Sequence, residues 1–111
     1  MKATITSITL KGPLKFFALS VQALAVTKQL KATACKEFKK QGFWNTHYTM
    51  TLWNNETELH DFARSGAHLA AMKTSKNIAQ EIRTFTYETD SLPNWKEAKA
   101  LLQEKAKVMT F

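Results

Sequence analysis

The segment Phe43–Trp53 (FWNTHYTMTLW) constrains the fold more than any other part of the sequence, because it is dense in aromatic and β-branched residues that favour strands. Successive side chains of a strand point to opposite faces, so Trp44 and Tyr48 share one face while His47 and Trp53 share the other. Both faces therefore carry aromatic rings that need cover. Helices of the chain can cover one face, and a second copy of the sheet can cover the other.

Hydrophobic periodicity divides the rest of the chain into strands and helices. Strands are predicted at Thr4–Leu10, Thr33–Lys39, Phe43–Trp53 and Glu81–Thr89, and helices at Phe16–Lys31, Glu58–Met72 and from Asn94 through Lys105. With a tight turn at Gln41–Gly42, this order predicts a ferredoxin-like βαββαβ antiparallel sheet with an extra C-terminal helix, an α+β fold. Two helices would cover one sheet face and leave the other uncovered. We expect a single α+β barrel domain over residues 1–111.

Polar residues mark where two helices begin and where one bends. Asn94 is followed three residues later by Glu97, which is the pattern of a capped helix start. Asn55 and the acids after it suit the start of the second helix. Ser65–Gly66 is expected to kink that helix.

Charge and cysteine content exclude several function classes. The net charge is +7, but the lysines are dispersed and no nucleic-acid motif is present, so no specific nucleic-acid partner is expected.

The most apolar stretch is too short for a membrane span and no signal peptide is recognisable, so we expect a cytoplasmic protein with no membrane partner. The single Cys35 is expected to have a packing role, with a reactive or metal-bound thiol as the alternative.

The sequence resembles the dimeric α+β barrel superfamily in Thr51–Leu59, Phe62, Ser65–His68 (SGAH) and Met72. Within it, the resemblance is to the antibiotic-biosynthesis-monooxygenase-like group, and in particular to spheroidene-monooxygenase-like proteins. The later segment Leu92–Ala98 (LPNWKEA) is similar to the Pro-x-Trp-x-x-Ala stretch of that group. The resemblance implies a homodimer formed through the sheets and, for some members, cofactor-independent oxygenation of activated aromatic compounds.

Haem-degrading enzymes of the same superfamily resemble this chain in the strand-end tryptophan, here Trp53. Those enzymes also use a helical histidine as iron ligand and an asparagine on the first strand. In this chain Met72 stands where that histidine would fall, and Thr4–Leu10 contains no asparagine. We therefore expect no haem and no other cofactor. No HExxH or facial-triad spacing indicates a metal site either.

His68 is the candidate catalytic residue, because an imidazole titrates near neutral pH and can act as a general base. The kink at Ser65–Gly66 would let it turn toward the sheet near Trp53. We expect the substrate-binding residues to be Trp53, Phe62, Leu69, Met72 and His47. The alternatives left open are that His68 braces the kink at the surface, that Trp53 packs in the core and that His47 lies at an interface.

These features predict a protein that binds a small apolar or aromatic molecule and acts on it as a monooxygenase-like oxidoreductase without a cofactor. The alternative is a non-catalytic ligand-binding or structural homodimer. The expected partners are a second copy of the chain and a small apolar molecule. A pocket lined by Trp53 and His68 would favour the enzyme, whereas a pocket filled by Phe and Leu side chains would favour the alternative.

Overall fold

A computed structural model describes residues 1–11, 25–30, 35–43, 45–64 and 79–110 of the chain. The elements within these ranges are β1 Lys2–Leu10, β2 Glu37–Phe43, β3 Thr46–Trp53, α1 Glu56–Ala63, β4 Ala79–Glu88, α2 Trp95–Lys105 and β5 Lys107–Thr110. Residues 25–30 are also helical. The predicted α+β class is confirmed. No helix in the described ranges is long and apolar enough to cross a membrane.

The strands in the described part of the chain form one five-stranded antiparallel sheet in the order β2-β3-β1-β4-β5. β1 lies at its centre, where Ile5 is opposite both Met50 of β3 and Phe85 of β4. The first four strands in this order form the predicted ferredoxin-like sheet. β5 extends one edge and was not predicted, because its four exposed residues (KVMT) show no burial alternation that would mark a strand.

The hairpin between β2 and β3 turns later than the sequence predicted. The segment Gln41–Gly42, assigned to the turn, lies within β2 and pairs with His47 and Tyr48 of β3. β2 therefore continues to residue 43, and β3 begins at Thr46. A glycine often marks a turn, but here it marks a close approach between two strands.

Helix α2 packs on the sheet face that carries Ile5 and Met50. Ala98 and Leu102 of α2 complete this cluster, and all four side chains are at most 3% exposed. The prediction that one sheet face lacks helices is therefore wrong, because the C-terminal helix of the same chain covers part of it. Burying these apolar side chains is the main contribution of α2 to stability.

Helix α1 packs on the opposite face of the sheet, where it contacts Trp53. Trp53 and Met50 are three residues apart in β3, so their side chains point to opposite faces. Phe62 of α1 and Leu30 of the helical residues 25–30 form a second buried cluster with Trp53. The two helical segments meet above the outer half of the sheet, over β2 and β3.

Both predicted helix caps are confirmed. The Asn55 side chain accepts a hydrogen bond from the Glu58 backbone N–H over 2.9 Å, and Asn94 accepts one from the Glu97 N–H over 2.8 Å. Each cap satisfies a backbone donor that a helix start leaves without a partner. Caps of this kind explain why α1 and α2 begin where they do.

Candidate functional site

Six threonines lie side by side on the sheet face opposite α2. They come from alternate positions of β1, β3 and β4: Thr4, Thr6, Thr49, Thr51, Thr84 and Thr86. The strand register arranges them in two rows across the sheet, with Thr51, Thr4 and Thr86 in one row and Thr49, Thr6 and Thr84 in the other. We call this array the threonine face.

Hydroxyl groups of the threonine face are paired across β1 and β4. The Thr4 and Thr86 hydroxyl oxygens are 2.9 Å apart, and those of Thr6 and Thr84 are 3.3 Å apart. Cross-strand hydroxyl pairs of this kind stabilise antiparallel sheets, and the β-branched side chains suit the strand. The result is a flat surface of methyl and hydroxyl groups at the centre of the sheet.

A cavity of about 340 Å³ lies over the threonine face. Its walls come from residues 25–30, β2 and α1, and are mostly apolar: Val26, Thr27, Leu30, Phe38, Leu59 and Phe62. Thr49 and Thr86 are exposed, so the cavity is open to solvent. Small-molecule sites commonly have volumes of roughly 300–1,000 Å³, with apolar walls and a few polar groups that orient the ligand. The space therefore suits one small ligand.

Trp53 packs behind the cavity wall rather than forming it. Its side chain is 1% exposed, and its ring lies 5.2 Å from the ring of Phe62, measured between centroids. The indole Nε1 donates a hydrogen bond to the Thr51 hydroxyl over 2.9 Å. Phe62 and Thr51 both line the cavity, so Trp53 supports one wall residue and orients one floor residue.

Two of the described lining residues bring ionisable nitrogen atoms to the cavity: Lys40 of β2 and His60 of α1. Both side chains are exposed. His60 Nε2 lies 3.6 Å from Glu56 Oε1, one helical turn earlier, which is an exposed ion pair when the imidazole is protonated. His60 was not among the predicted site residues, and the structure places it at the cavity.

The predicted site residues fall into three groups. Phe62 lines the cavity, and Trp53 lies directly behind it. His47 points to the same sheet face as Thr49 but sits opposite Ile8 and Gly42, beyond the described residues that line the cavity. Three further predictions, His68, Leu69 and Met72, lie outside the described residues, as does the predicted kink at Ser65–Gly66.

Cys35 lies beside the second cluster, just before β2 begins, and not in a strand as predicted. Its thiol donates a hydrogen bond to the Glu37 carbonyl oxygen over 3.2 Å. Burial raises the pKa of the thiol above its ordinary value, and contacts with the backbone of Leu52 and Glu37 oppose this by less. A thiol in this environment is held in its protonated form at neutral pH.

The donor groups that the described residues bring to the cavity are hydroxyls, one ammonium and one imidazole. Within the ranges that the structure describes, no three His, Cys, Asp or Glu side chains come together in a way that could hold a metal ion. The described lining can bind and orient a ligand. Hydroxyl groups can direct a ligand by hydrogen bonds, and the apolar walls can desolvate it.

The threonine pattern was visible in the sequence as Thr-x-Thr in three predicted strands: TIT at residues 4–6, TMT at 49–51 and TFT at 84–86. Period-two spacing places each pair on one strand face. None of these threonines was among the predicted site residues. The pairing register, which brings the three pairs together, depends on contacts far apart in the sequence and is not readable from one strand.

Solved structures with the same fold cover most of the chain. A candidate antibiotic biosynthesis monooxygenase from Deinococcus radiodurans superposes with a TM-score of 0.70 at 10% identity, covering 85% of this chain and 97% of its own. A second candidate antibiotic biosynthesis monooxygenase, from Nitrosomonas europaea, gives 0.71 at 12% identity, covering 82% and 100%. A protein from Pseudomonas aeruginosa gives 0.69 at 16% identity, covering 81% and 94%.

Likeness at these identities establishes the fold. The resemblance stated from the sequence is confirmed at that level, because the chain has the fold of the antibiotic-biosynthesis-monooxygenase-like α+β proteins. No family profile matches the sequence. No curated protein matches it either.

Proposed function

We propose that the protein binds a small, partly apolar molecule in the cavity over the threonine face. The observation that carries this proposal is the composition of the lining, in which hydroxyl groups form the floor and side chains such as Phe38, Leu59 and Phe62 form the walls. Apolar walls favour a ring or an unsaturated chain through burial of its surface. Floor hydroxyls favour a ligand that also carries oxygen or nitrogen atoms.

The bound molecule is further proposed to be a substrate that is oxygenated without a resident cofactor. Support comes from the fold, which is that of candidate antibiotic biosynthesis monooxygenases. In such a reaction a base removes a proton from an activated CH₂ group, and the carbanion is oxidised by O₂ to a hydroperoxide. Loss of water then leaves a carbonyl, so that CH₂ and O₂ become C=O and H₂O.

His68 is the proposed base in this scheme, and Leu69 and Met72 are proposed as additional wall residues. An imidazole suits the step because its pKa allows proton transfer near neutral pH. The threonine hydroxyls would orient the substrate, and Phe62 and Leu59 would keep water from the carbanion. All three proposed residues lie outside the described ranges, so their roles rest on the sequence.

The alternative proposal is a binding protein without catalysis. It is favoured by the position of Trp53, which packs in a buried cluster behind the cavity wall instead of facing the ligand space. The cavity and its ligand preference are the same under both proposals. They differ only in whether O₂ is consumed when a ligand is bound.

A matched pair of variants tests the binding step. Thr49→Val removes a floor hydroxyl at nearly constant volume, and Thr46→Val does the same on the opposite face of the same strand. Aromatic and unsaturated ring compounds would be screened by thermal shift, and hits titrated against both variants. Thr49→Val should weaken binding while Thr46→Val should not. Equal effects would show that the ligand binds elsewhere.

An oxygen electrode separates the enzyme from the binding protein. With a confirmed ligand, the enzyme should consume O₂ in an amount equal to the carbonyl product. His68→Ala should stop O₂ consumption but change the dissociation constant of the ligand by no more than about threefold, because a base contributes mainly to the reaction step. Tight binding with no O₂ uptake would leave the non-catalytic proposal standing.

A further inference from the structure

The described lining of the cavity carries ionisable groups of one sign. Among the described residues that line it, Lys40 and His60 can be positive and none carries a carboxylate. His60 has Glu56 beside it, which offsets its charge. Lys40 forms no ion pair with any side chain in the described ranges, whereas its neighbour Lys39 is paired with Glu37 over 3.5 Å. Of the two described cationic residues at the cavity, Lys40 is therefore the one that remains available to a ligand.

Lys40 stands at one end of a row of hydroxyl groups. It lies opposite Thr49 in the β2–β3 pair, and Thr49 lies opposite Thr6, which in turn lies opposite Thr84. All four side chains line the cavity. A ligand lying flat on the threonine face along this row would place one end at the ammonium group.

The hydroxyl groups of the floor keep O–H donors for a ligand, besides the lone pairs with which each oxygen can also accept. Two hydroxyls that share one hydrogen bond, such as Thr4 with Thr86, use one O–H hydrogen between them and keep the other for a third group. The pair of Thr6 and Thr84 does the same. Thr51 already accepts from the Trp53 indole, so its own O–H remains to be donated. The floor therefore offers hydrogen-bond donors to whatever lies on it.

We propose that the cavity selects a flat ring compound that carries a carboxylate or phenolate group together with further oxygen acceptors. This inference rests on the proposed binding function and specifies its ligand. The anionic oxygen binds the Lys40 ammonium, and the other acceptors receive hydrogen bonds from the threonine face. Phe38 and Phe62 cover the ring. A neutral ring without acceptors leaves the donors of the floor unsatisfied and binds less well.

The test compares 3-hydroxy-2-naphthoate with 3-hydroxy-2-naphthamide, which has the same ring and a neutral amide in place of the carboxylate. Binding is measured by calorimetry at pH 7.5 to the wild type, Lys40→Gln and Lys39→Gln. Lys39 is the matched control, because it is an exposed lysine on the same strand with its side chain on the opposite face. All three proteins are compared at low and high salt.

The wild type and Lys39→Gln should bind the carboxylate about fivefold more tightly than the amide, the size expected for one solvent-accessible charge pair. Lys40→Gln should bind the two compounds equally, and high salt should reduce the preference of the wild type. Equal binding of both compounds by the wild type overturns the charge selection and leaves the cavity proposal standing. If neither compound binds at millimolar concentration, the proposed ligand class is wrong, and the binding function falls with it only if the thermal-shift screen also yields no ligand.

Discussion

The imidazole ring of His47 occupies the space that a β-carbon at Gly42 would need. The two residues are direct partners in the β2–β3 pair. A β-carbon built on residue 42 would lie 2.9 Å from His47 Cε1 and even closer to Nδ1. The absence of a side chain at Gly42 therefore permits a close cross-strand contact with the half-buried imidazole.

Gly42→Ala should destabilise the protein by about 1–3 kcal/mol, the usual cost of an overpacked contact. The His47 ring must move to admit the new methyl group. Urea unfolding measures the change. In a His47→Ala background the same substitution should cost much less, because the obstructing ring is gone. An equal cost in both backgrounds would contradict the contact between these residues.

The hydrogen bond from Trp53 to Thr51 can be measured by a double-mutant cycle. Trp53→Phe keeps an aromatic ring in the cluster, and Thr51→Val keeps the side-chain volume. We expect a coupling free energy of about 0.5–1.5 kcal/mol between them, the usual net value of one hydrogen bond. Thr49→Val paired with Trp53→Phe is the control and should be additive within about 0.5 kcal/mol. Coupling of zero in the first cycle would remove the supporting role of Trp53.

Local signals in the sequence predicted the elements, and long-range pairing decided how they assemble. The Asn94–Glu97 cap and the alternation of Thr46–Trp53 were readable because their physics is confined to a few neighbouring residues. The face covered by α2 was not readable, since it depends on Ala98 and Leu102 meeting Ile5. Helix periodicity shows which side of a helix is apolar but not which surface it will meet.

The candidate site was only partly predictable for the same reason. Phe62 was chosen for its apolar position on a predicted helix, and it does line the cavity. The threonine face was missed because threonine is common in strands for its β-branched shape, so a single Thr-x-Thr pattern carries no functional meaning. Three such patterns acquire meaning only when the register sets Thr4 between Thr51 and Thr86.

Cys35 should react slowly in the folded protein. Burial raises the pKa of its thiol, so less thiolate is present at pH 8 than in the unfolded chain. Iodoacetamide labelling followed by mass spectrometry should be slower in buffer than in urea. The raised pKa stabilises the fold at pH values below that of the unfolded thiol, and this contribution is lost as pH rises through the folded value. Cys35→Ser should therefore reduce the loss of stability at alkaline pH. Equal labelling rates in buffer and urea would contradict the burial.

The predicted homodimer has a candidate surface on the α2 side of the sheet. The stacked rings of Phe85 and Tyr87, with centroids 5.3 Å apart, are only half-buried there. Val108 of the edge strand β5 is 46% exposed and lies opposite Arg83, on the same face as Phe85. A second copy placed against this face would bury apolar surface that α2 leaves open.

Light scattering at micromolar concentration should give about twice the chain mass of 12.6 kDa. Val108→Glu should shift the protein toward monomer, because a charge would be buried at the expected contact. Met109→Glu is the matched control, since Met109 is 38% exposed and points to the other face of the same strand. Circular dichroism would verify that both variants keep their fold. A wild type that scatters as a monomer would refute the dimer, and equal dissociation by both variants would place the contact at the β5 edge rather than on the α2 face.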